Sequence, residues 1–210
     1  VFFDDGPKQF LNYLIDFTRK HYESKGMSIS SIGDLKLALV PRESIIEECG
    51  EDSAACYSSG TIIMPDSLEF ISFLSIFNHE FGHHLYGDNA EYPSMSNQMY
   101  APIKTYEFSK PIGSLFLGNS ALYPGSENFR ERNPKKVMYE KGALFAALNL
   151  LDHDGNIEAA MDQVTHTKAM TINTRIQNLM DEYGGANPNA IYFDLWKRIL
   201  DSYGWEYELS

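Results

Sequence analysis

The chain has few cysteines and no long apolar run, and each shortage excludes a class of site or protein. Only two cysteines, Cys49 and Cys56, occur among 210 residues, and their spacing is not the C-x-x-C of a zinc ribbon or redox motif. No segment approaches the roughly 18 apolar residues that cross a bilayer, because the apolar residues 68–77 are too few and include Glu69. We therefore expect neither a thiolate zinc site nor insertion into a membrane.

Basic residues are also scarce. The 17 Lys and Arg residues stand against 29 Asp and Glu residues, so the net charge is −12. Nucleic acids and anionic membranes bind basic surfaces, and neither is therefore an expected partner. A hydrophobic content of 43% is enough for a real core. The length predicts one large domain or two small lobes that share a cleft.

The two cysteines bear on the expected location. Cys49 and Cys56 flank a segment that resembles a loop between two strands. A disulfide that closes this loop would suit an exported protein, and two free thiols are the alternative. We expect no signal peptide in this sequence. Because the first residue is Val1, we expect a processed or trimmed chain, compatible with a leader removed earlier. The expected location is extracellular.

Hydrophobic periodicity predicts an α+β fold in two parts. Residues 7–25 have helical spacing, and residues 35–40 and 60–64 are predicted strands, with Gly60–Met64 as an edge strand that could pair with an extended peptide. Gly87, Pro93 and Pro102 predict loop over residues 87–105. Further helices are predicted over 104–118, 135–152, 155–165, 168–183 and 188–203. We therefore expect an α+β subdomain over 1–90, a helical subdomain over 91–210, and a cleft between them.

Residues 79–83 form an H-E-x-x-H motif. Two histidines at positions i and i+4 of a helix lie on one face, so His79 and His83 can bind one metal ion. Glu80 lies at the adjacent edge, where its carboxylate can act as a general base. Chance produces roughly 0.01 such matches in a chain of this composition, which makes the motif specific. The apolar residues before it, with Asp66 or Ser67 as a helix cap, predict a buried helix that carries a zinc hydrolase site.

A catalytic zinc ion takes three protein ligands, so one more is needed. Asp88, Glu91 and Glu107 are the candidates. The compact H-E-x-x-H-x-x-G-x-x-[H/D] pattern fails here, because Tyr86 and Asn89 occupy its last two fixed positions. Another class of zinc peptidase takes a Glu from a following helix. Glu107 opens the next predicted helix, so we expect it to be the ligand ahead of the other two.

The segment Val137–Phe145 contains Tyr139-Glu140-Lys141-Gly142, which resembles the Y-x-K-G segment of the gluzincin metallopeptidases. That family includes aminopeptidases and leukotriene A4 hydrolase, and the resemblance covers about residues 60–165. It implies a zincin-like fold, a peptide or protein substrate, and zinc bound by His79, His83 and Glu107. It also implies that Glu80 is the catalytic base and that Tyr139 stabilises the oxyanion.

The chain departs from this family at three points, one of which is that Tyr106 and Phe108 flank Glu107 in place of the family's Asn-Glu-Gly pattern. Pro102 stands where the family has its glutamate ligand, 19 positions after the second histidine. The G-x-M-E-N segment that binds a free amino terminus is absent, which favours an endopeptidase over an aminopeptidase. Three alternatives remain. They are a metzincin-like protease with Asp88 or Glu91 as third ligand, a catalytically silent zincin-fold binding module, and a non-peptidase hydrolase.

Overall fold

The structure is a computed structural model that describes residues 35–51, 53–68, 70–105, 134–186 and 188–202. The predicted helices over 7–25 and 104–118 lie wholly or almost wholly outside these residues. Of the remaining predictions, both strands and the last four helices are confirmed to within about two residues at each end.

The described residues form a mixed, mostly helical arrangement around one small sheet. In chain order the elements are β1 (Lys36–Val40), α1 (Arg42–Cys49), β2 (Cys56–Ser58), β3 (Thr61–Pro65), α2 (Phe70–Tyr86), α3 (Glu91–Thr105), α4 (Pro134–Asp152), α5 (Ile157–His166), α6 (Ala169–Glu182) and α7 (Pro188–Ser202). Strands come first and helices follow, which agrees with an α+β class in the general sense. Among the described residues no helix is both long and apolar enough to cross a membrane.

The sheet has the order β1-β3-β2, so β3 is its central strand. β1 runs parallel to β3, and β2 pairs antiparallel with β3 through a tight turn. Ser59 and Gly60 form that turn with φ values of 48° and 81°, as a two-residue hairpin with positive φ at both positions requires. The prediction that Gly60–Met64 is an edge strand is therefore wrong. Both sides of β3 are already paired, and its Ile62 and Met64 are fully buried.

A disulfide joins α1 to β2. Cys49 is the last residue of α1, Cys56 is the first of β2, and the two sulfur atoms are bonded. The expected loop between the cysteines is present, although a helix rather than a strand precedes it. Of the two alternatives for these cysteines, the structure has the disulfide.

Helix α2 turns one face to the sheet and the opposite face to the other helices. Phe73, Phe77 and Phe81 repeat every four residues and stack with ring centroids 6.1 and 5.8 Å apart. They share a core with Ile62 and Met64 of β3. Since successive residues are about 100° apart around a helix, His79 lies about 200° from Phe77. His79 and His83 therefore face away from the sheet.

Helix α4 is the centre of the larger core. Leu144, Phe145, Ala146, Ala147 and Leu150 are fully buried, among residues of α3, α5, α6 and α7. A helix that is apolar around most of its circumference must be covered by neighbours on several sides. The four C-terminal helices were predictable because each carries its own apolar periodicity.

The prediction of loop over 87–105 is wrong for most of that segment, since α3 occupies 91–105. Pro93 lies in the first turn, where a backbone N–H has no helical partner and proline is tolerated. Tyr92, Met95 and Met99 follow at spacings of three and four and are buried. This periodicity indicates a helix, whereas the prolines alone favour the loop prediction.

Candidate metal centre

The two motif histidines meet in the second half of α2. His79 and His83 are one turn apart, and their Nε2 atoms are separated by 3.2 Å. Both residues are buried, with 7% of their surfaces exposed. Two imidazoles therefore present nitrogen atoms to one point inside the protein, as the i, i+4 spacing predicted.

A tight turn after α2 brings the chain back to these histidines. Gly87 has φ of +108°, a conformation that favours glycine, and its N–H donates to the His83 carbonyl at 2.9 Å. The Ala90 N–H donates in turn to the Gly87 carbonyl at 3.0 Å, and α3 begins at the next residue, Glu91. The first side chain of α3 thus returns to the last turns of α2.

Glu91 completes a group of three possible ligands. Its Oε2 atom lies 3.5 Å from His79 Nε2 and 3.7 Å from His83 Nε2. Among the described residues, these three form the group of histidine, cysteine and carboxylate side chains whose ligand atoms lie close enough to hold a metal ion. Two imidazole nitrogens and one carboxylate oxygen make a donor set found in catalytic zinc sites.

The spacing of the three atoms fits a tetrahedral ion. Zinc bonds to nitrogen and oxygen are about 2.0–2.2 Å long, and a tetrahedron with such bonds has edges of about 3.3–3.6 Å. The observed separations of 3.2, 3.5 and 3.7 Å span this range. Within the part of the chain that the structure describes, three ligands converge, and their spacing fits a zinc ion.

Burial favours the neutral form of His83, which is the form that binds metal. The largest influence on His83 is desolvation, which lowers its pKa below 6.5, and the neighbouring His79 lowers it further. Glu91, the Gly87 carbonyl and Asp88 act in the opposite direction. The Nδ1 atom lies 3.4 Å from the Gly87 carbonyl oxygen, so Nδ1 is placed to donate and Nε2 keeps its lone pair.

Glu80 and Tyr139 lie beside the histidine pair. Glu80 follows His79 on α2, and only 8% of its surface is exposed. Tyr139 comes from α4, and its ring packs edge-to-face on the His79 ring with centroids 5.4 Å apart. The structure thus brings Tyr139, which is 60 residues away in sequence, into direct contact with a candidate ligand.

The three candidates for the third ligand have different outcomes. Glu107 lies outside the described residues, so its predicted role stays a prediction. Asp88 is exposed in the turn after α2 and is not in the ligand group. Glu91, which we ranked behind Glu107, is the carboxylate that reaches both histidines. The sequence did hold a signal for it, because Glu91 opens the helical periodicity of Tyr92, Met95 and Met99.

The third histidine of this segment belongs to the sheet side. His84 Nδ1 lies 3.0 Å from the Tyr57 hydroxyl, and the two rings pack edge-to-face at 5.4 Å. Tyr57 is in β2, and its hydroxyl also accepts the Gly60 N–H at 3.0 Å. His84 therefore anchors the end of α2 to the hairpin.

No protein-family model matches this chain, and no curated protein or solved structure matches it either.

Proposed function

We propose that this protein is a zinc-dependent metallopeptidase that hydrolyses peptide bonds. The observation that carries the proposal is the convergence of Glu91 on the two histidines of an H-E-x-x-H helix, at separations that suit tetrahedral zinc. A site that only stabilises a fold usually closes the metal with four protein ligands and has no need of the motif glutamate. Three ligands beside a buried Glu80 are the arrangement expected for hydrolysis.

Each residue has a role in this mechanism. His79, His83 and Glu91 would hold the ion, which when bound acidifies water and polarises a carbonyl group. Glu80 accepts the proton of the attacking water and then gives it to the leaving amine. Tyr139 donates its hydroxyl hydrogen to the carbonyl oxygen as negative charge develops there. Its ring contact with His79 supports this position at the site.

The ligand spacing sets the chain apart from the families it resembles. Glu91 is eight positions after His83. The gluzincin pattern requires 19 positions and the compact metzincin pattern requires six. The proposed fold is nevertheless zincin-like, because an active-site helix packs on a small mixed sheet and a helical part follows. The missing amino-terminus-binding segment favours an endopeptidase, and the Cys49–Cys56 disulfide supports an oxidising, extracellular location.

The test compares the wild type with Glu80→Gln for zinc content and for cleavage of a mixed peptide library. We expect about one zinc per chain in both proteins and cleavage at least about 10²-fold slower in Glu80→Gln, because the general base is lost. The matched control is Glu158→Gln, which changes an exposed glutamate in the first turn of α5 and should cleave like the wild type. Zinc bound without cleavage by any variant would instead favour a silent binding module, and no zinc binding at all would refute the proposal.

A further inference from the structure

Helices α2 and α3 cross at Gly82 and Ser94. Gly82 lies between the two motif histidines, and Ser94 lies three residues after Glu91, about one turn along α3. The contact between the helices is therefore next to all three candidate ligands. A change in helix separation at this point would move Glu91 relative to His79 and His83.

Position 82 has no room for a side chain. A Cβ atom on Gly82 would lie 2.6 Å from the Ser94 Cα and 3.0 Å from its Cβ and Oγ. Ordinary van der Waals contact begins at 3.4 Å, so the nearest pair would have to separate by about 0.8 Å. The nearest atom belongs to the backbone, and a change of rotamer cannot relieve the overlap. One of the two helices would have to move.

Two hydrogen bonds hold α2 and α3 together on one side of the crossing, so the helices can separate more easily on the other side. Asn97 Nδ2 donates to the Asn78 carbonyl at 2.7 Å, and Gln98 Nε2 donates to Ser75 Oγ at 2.6 Å. These bonds lie one to two turns beyond the crossing and tie α3 to the earlier part of α2. A side chain at position 82 would therefore separate α2 from α3 mainly at the end of the two helices where Glu91 lies.

The ligand distances have little tolerance for this movement. Glu91 Oε2 lies 3.5 and 3.7 Å from the two nitrogens, and the range that suits a tetrahedral zinc ion ends at about 3.6 Å. A further 0.8 Å would take both distances well outside that range.

We propose that Gly82 is a positioning residue for the third ligand. Its missing side chain sets the distance between α2 and α3 at which Glu91 completes the metal centre. This inference rests on the proposed metal centre, and it explains why one of the two variable positions of the H-E-x-x-H motif is constrained in this chain.

A neighbouring face of α3 offers a matched control. A Cβ atom on Gly142 of α4 would lie 2.8 Å from Met95 Cγ and 3.0 Å from Met95 Cβ. The nearer atom moves when the χ1 angle of Met95 changes, and the Cβ atom needs only about 0.4 Å more to reach ordinary contact. Gly142→Ala thus introduces the same methyl group against the same helix, with a smaller demand on the backbone.

The first measurement is the zinc dissociation constant, obtained by competition with a chromophoric chelator, together with the thermal midpoint. We expect Gly82→Ala to bind zinc about 10–100-fold more weakly than the wild type, because changing a residue that supports metal ligands typically costs that much affinity. We expect Gly142→Ala to change the dissociation constant little. Adding Ser94→Gly to Gly82→Ala removes the two 3.0 Å contacts but keeps the 2.6 Å contact with the backbone, so we expect the affinity to stay low. The Ser94 hydroxyl has no hydrogen-bond partner within the described residues, so the second change sacrifices no such bond there. A lowered midpoint with an unchanged dissociation constant would make Gly82 a packing residue only and overturn the proposal.

The second measurement does not depend on zinc. Crystal structures of metal-free wild type and Gly82→Ala give the Glu91-to-histidine distances directly, and we expect them to be longer in the variant. Unchanged distances would overturn the positioning role even if the wild type binds zinc, whereas a wild type without zinc affinity would instead refute the proposed function. If Gly82→Ala does not fold, Ser94→Thr adds a methyl group at the same contact and is judged by the same distances.

Discussion

Replacing Glu91 with Gln should weaken zinc binding about 10²–10³-fold. Gln has nearly the same shape as Glu, so α3 should keep its position between α2 and α4. The substitution exchanges an anionic oxygen, 3.5 and 3.7 Å from the two histidine nitrogens, for a neutral amide. What changes is therefore the ligand and its charge rather than the fold.

The magnitude follows from the number of ligands. Structural zinc sites with four ligands bind with apparent free energies of about 10–16 kcal/mol at pH 7, or roughly 2.5–4 kcal/mol for each ligand. A factor of ten in affinity corresponds to about 1.4 kcal/mol. The loss of one ligand therefore predicts about 10²–10³-fold. An exposed charge that merely attracted zinc from a distance would contribute far less.

The assay is competition for zinc with a chromophoric chelator at pH 7, followed by metal analysis of the purified protein. Glu158→Gln is the control, because Glu158 is exposed and also lies in the first turn of a helix. Glu107→Gln tests the prediction made from the sequence. Unchanged affinity in Glu91→Gln would refute Glu91 as a ligand, and a large loss in Glu107→Gln alone would show that the sequence prediction was right.

Two further predictions concern the neighbours of the ligands. Tyr139→Phe should lower kcat about 10²–10³-fold while zinc content and KM stay near wild type, because one hydrogen-bond donor to the oxyanion is lost; an unchanged kcat in steady-state peptide cleavage would exclude that role. The metal-free protein should lose stability as the pH falls below about 6.5, because the folded-state pKa of His83 is lowered and the unfolded chain binds its proton first. Urea unfolding at pH 7.5 and 5.5 should show a smaller free energy of unfolding at the lower pH, and His83→Asn should reduce the difference; equal pH dependence in both proteins would contradict this cause.

The elements that could be predicted are those specified by local pattern. Ile62 and Met64 alternate along β3, and the apolar residues of α4 to α7 repeat with helical spacing. Gly155 and the pair Gly184-Gly185 adopt positive φ between those helices, a conformation that favours glycine. In each case the residues that decide the structure are close together in the chain.

The errors share a different cause. The loop prediction for α3 is wrong because a first-turn proline such as Pro93 is compatible with a helix. The edge-strand prediction for β3 is wrong because strand order depends on which strands pair, and β1 pairs with β3 across the intervening α1. Both errors concern the tertiary context of a segment rather than its local conformational preference.

The sequence by itself determined that His79 and His83 lie together with Glu80 beside them, because i, i+4 spacing on any helix brings two residues onto one face. Only the tertiary structure decided which carboxylate joins them. Glu91 reaches the histidines because the turn at Gly87 reverses the chain and because Gly82 lets α3 approach α2 closely. Tyr139 contacts His79 through the packing of α4, whose Gly142 approaches α3 closely at Met95. Contacts between separate helices depend on the distance between the helices, and hydrophobic periodicity along one helix does not specify that distance.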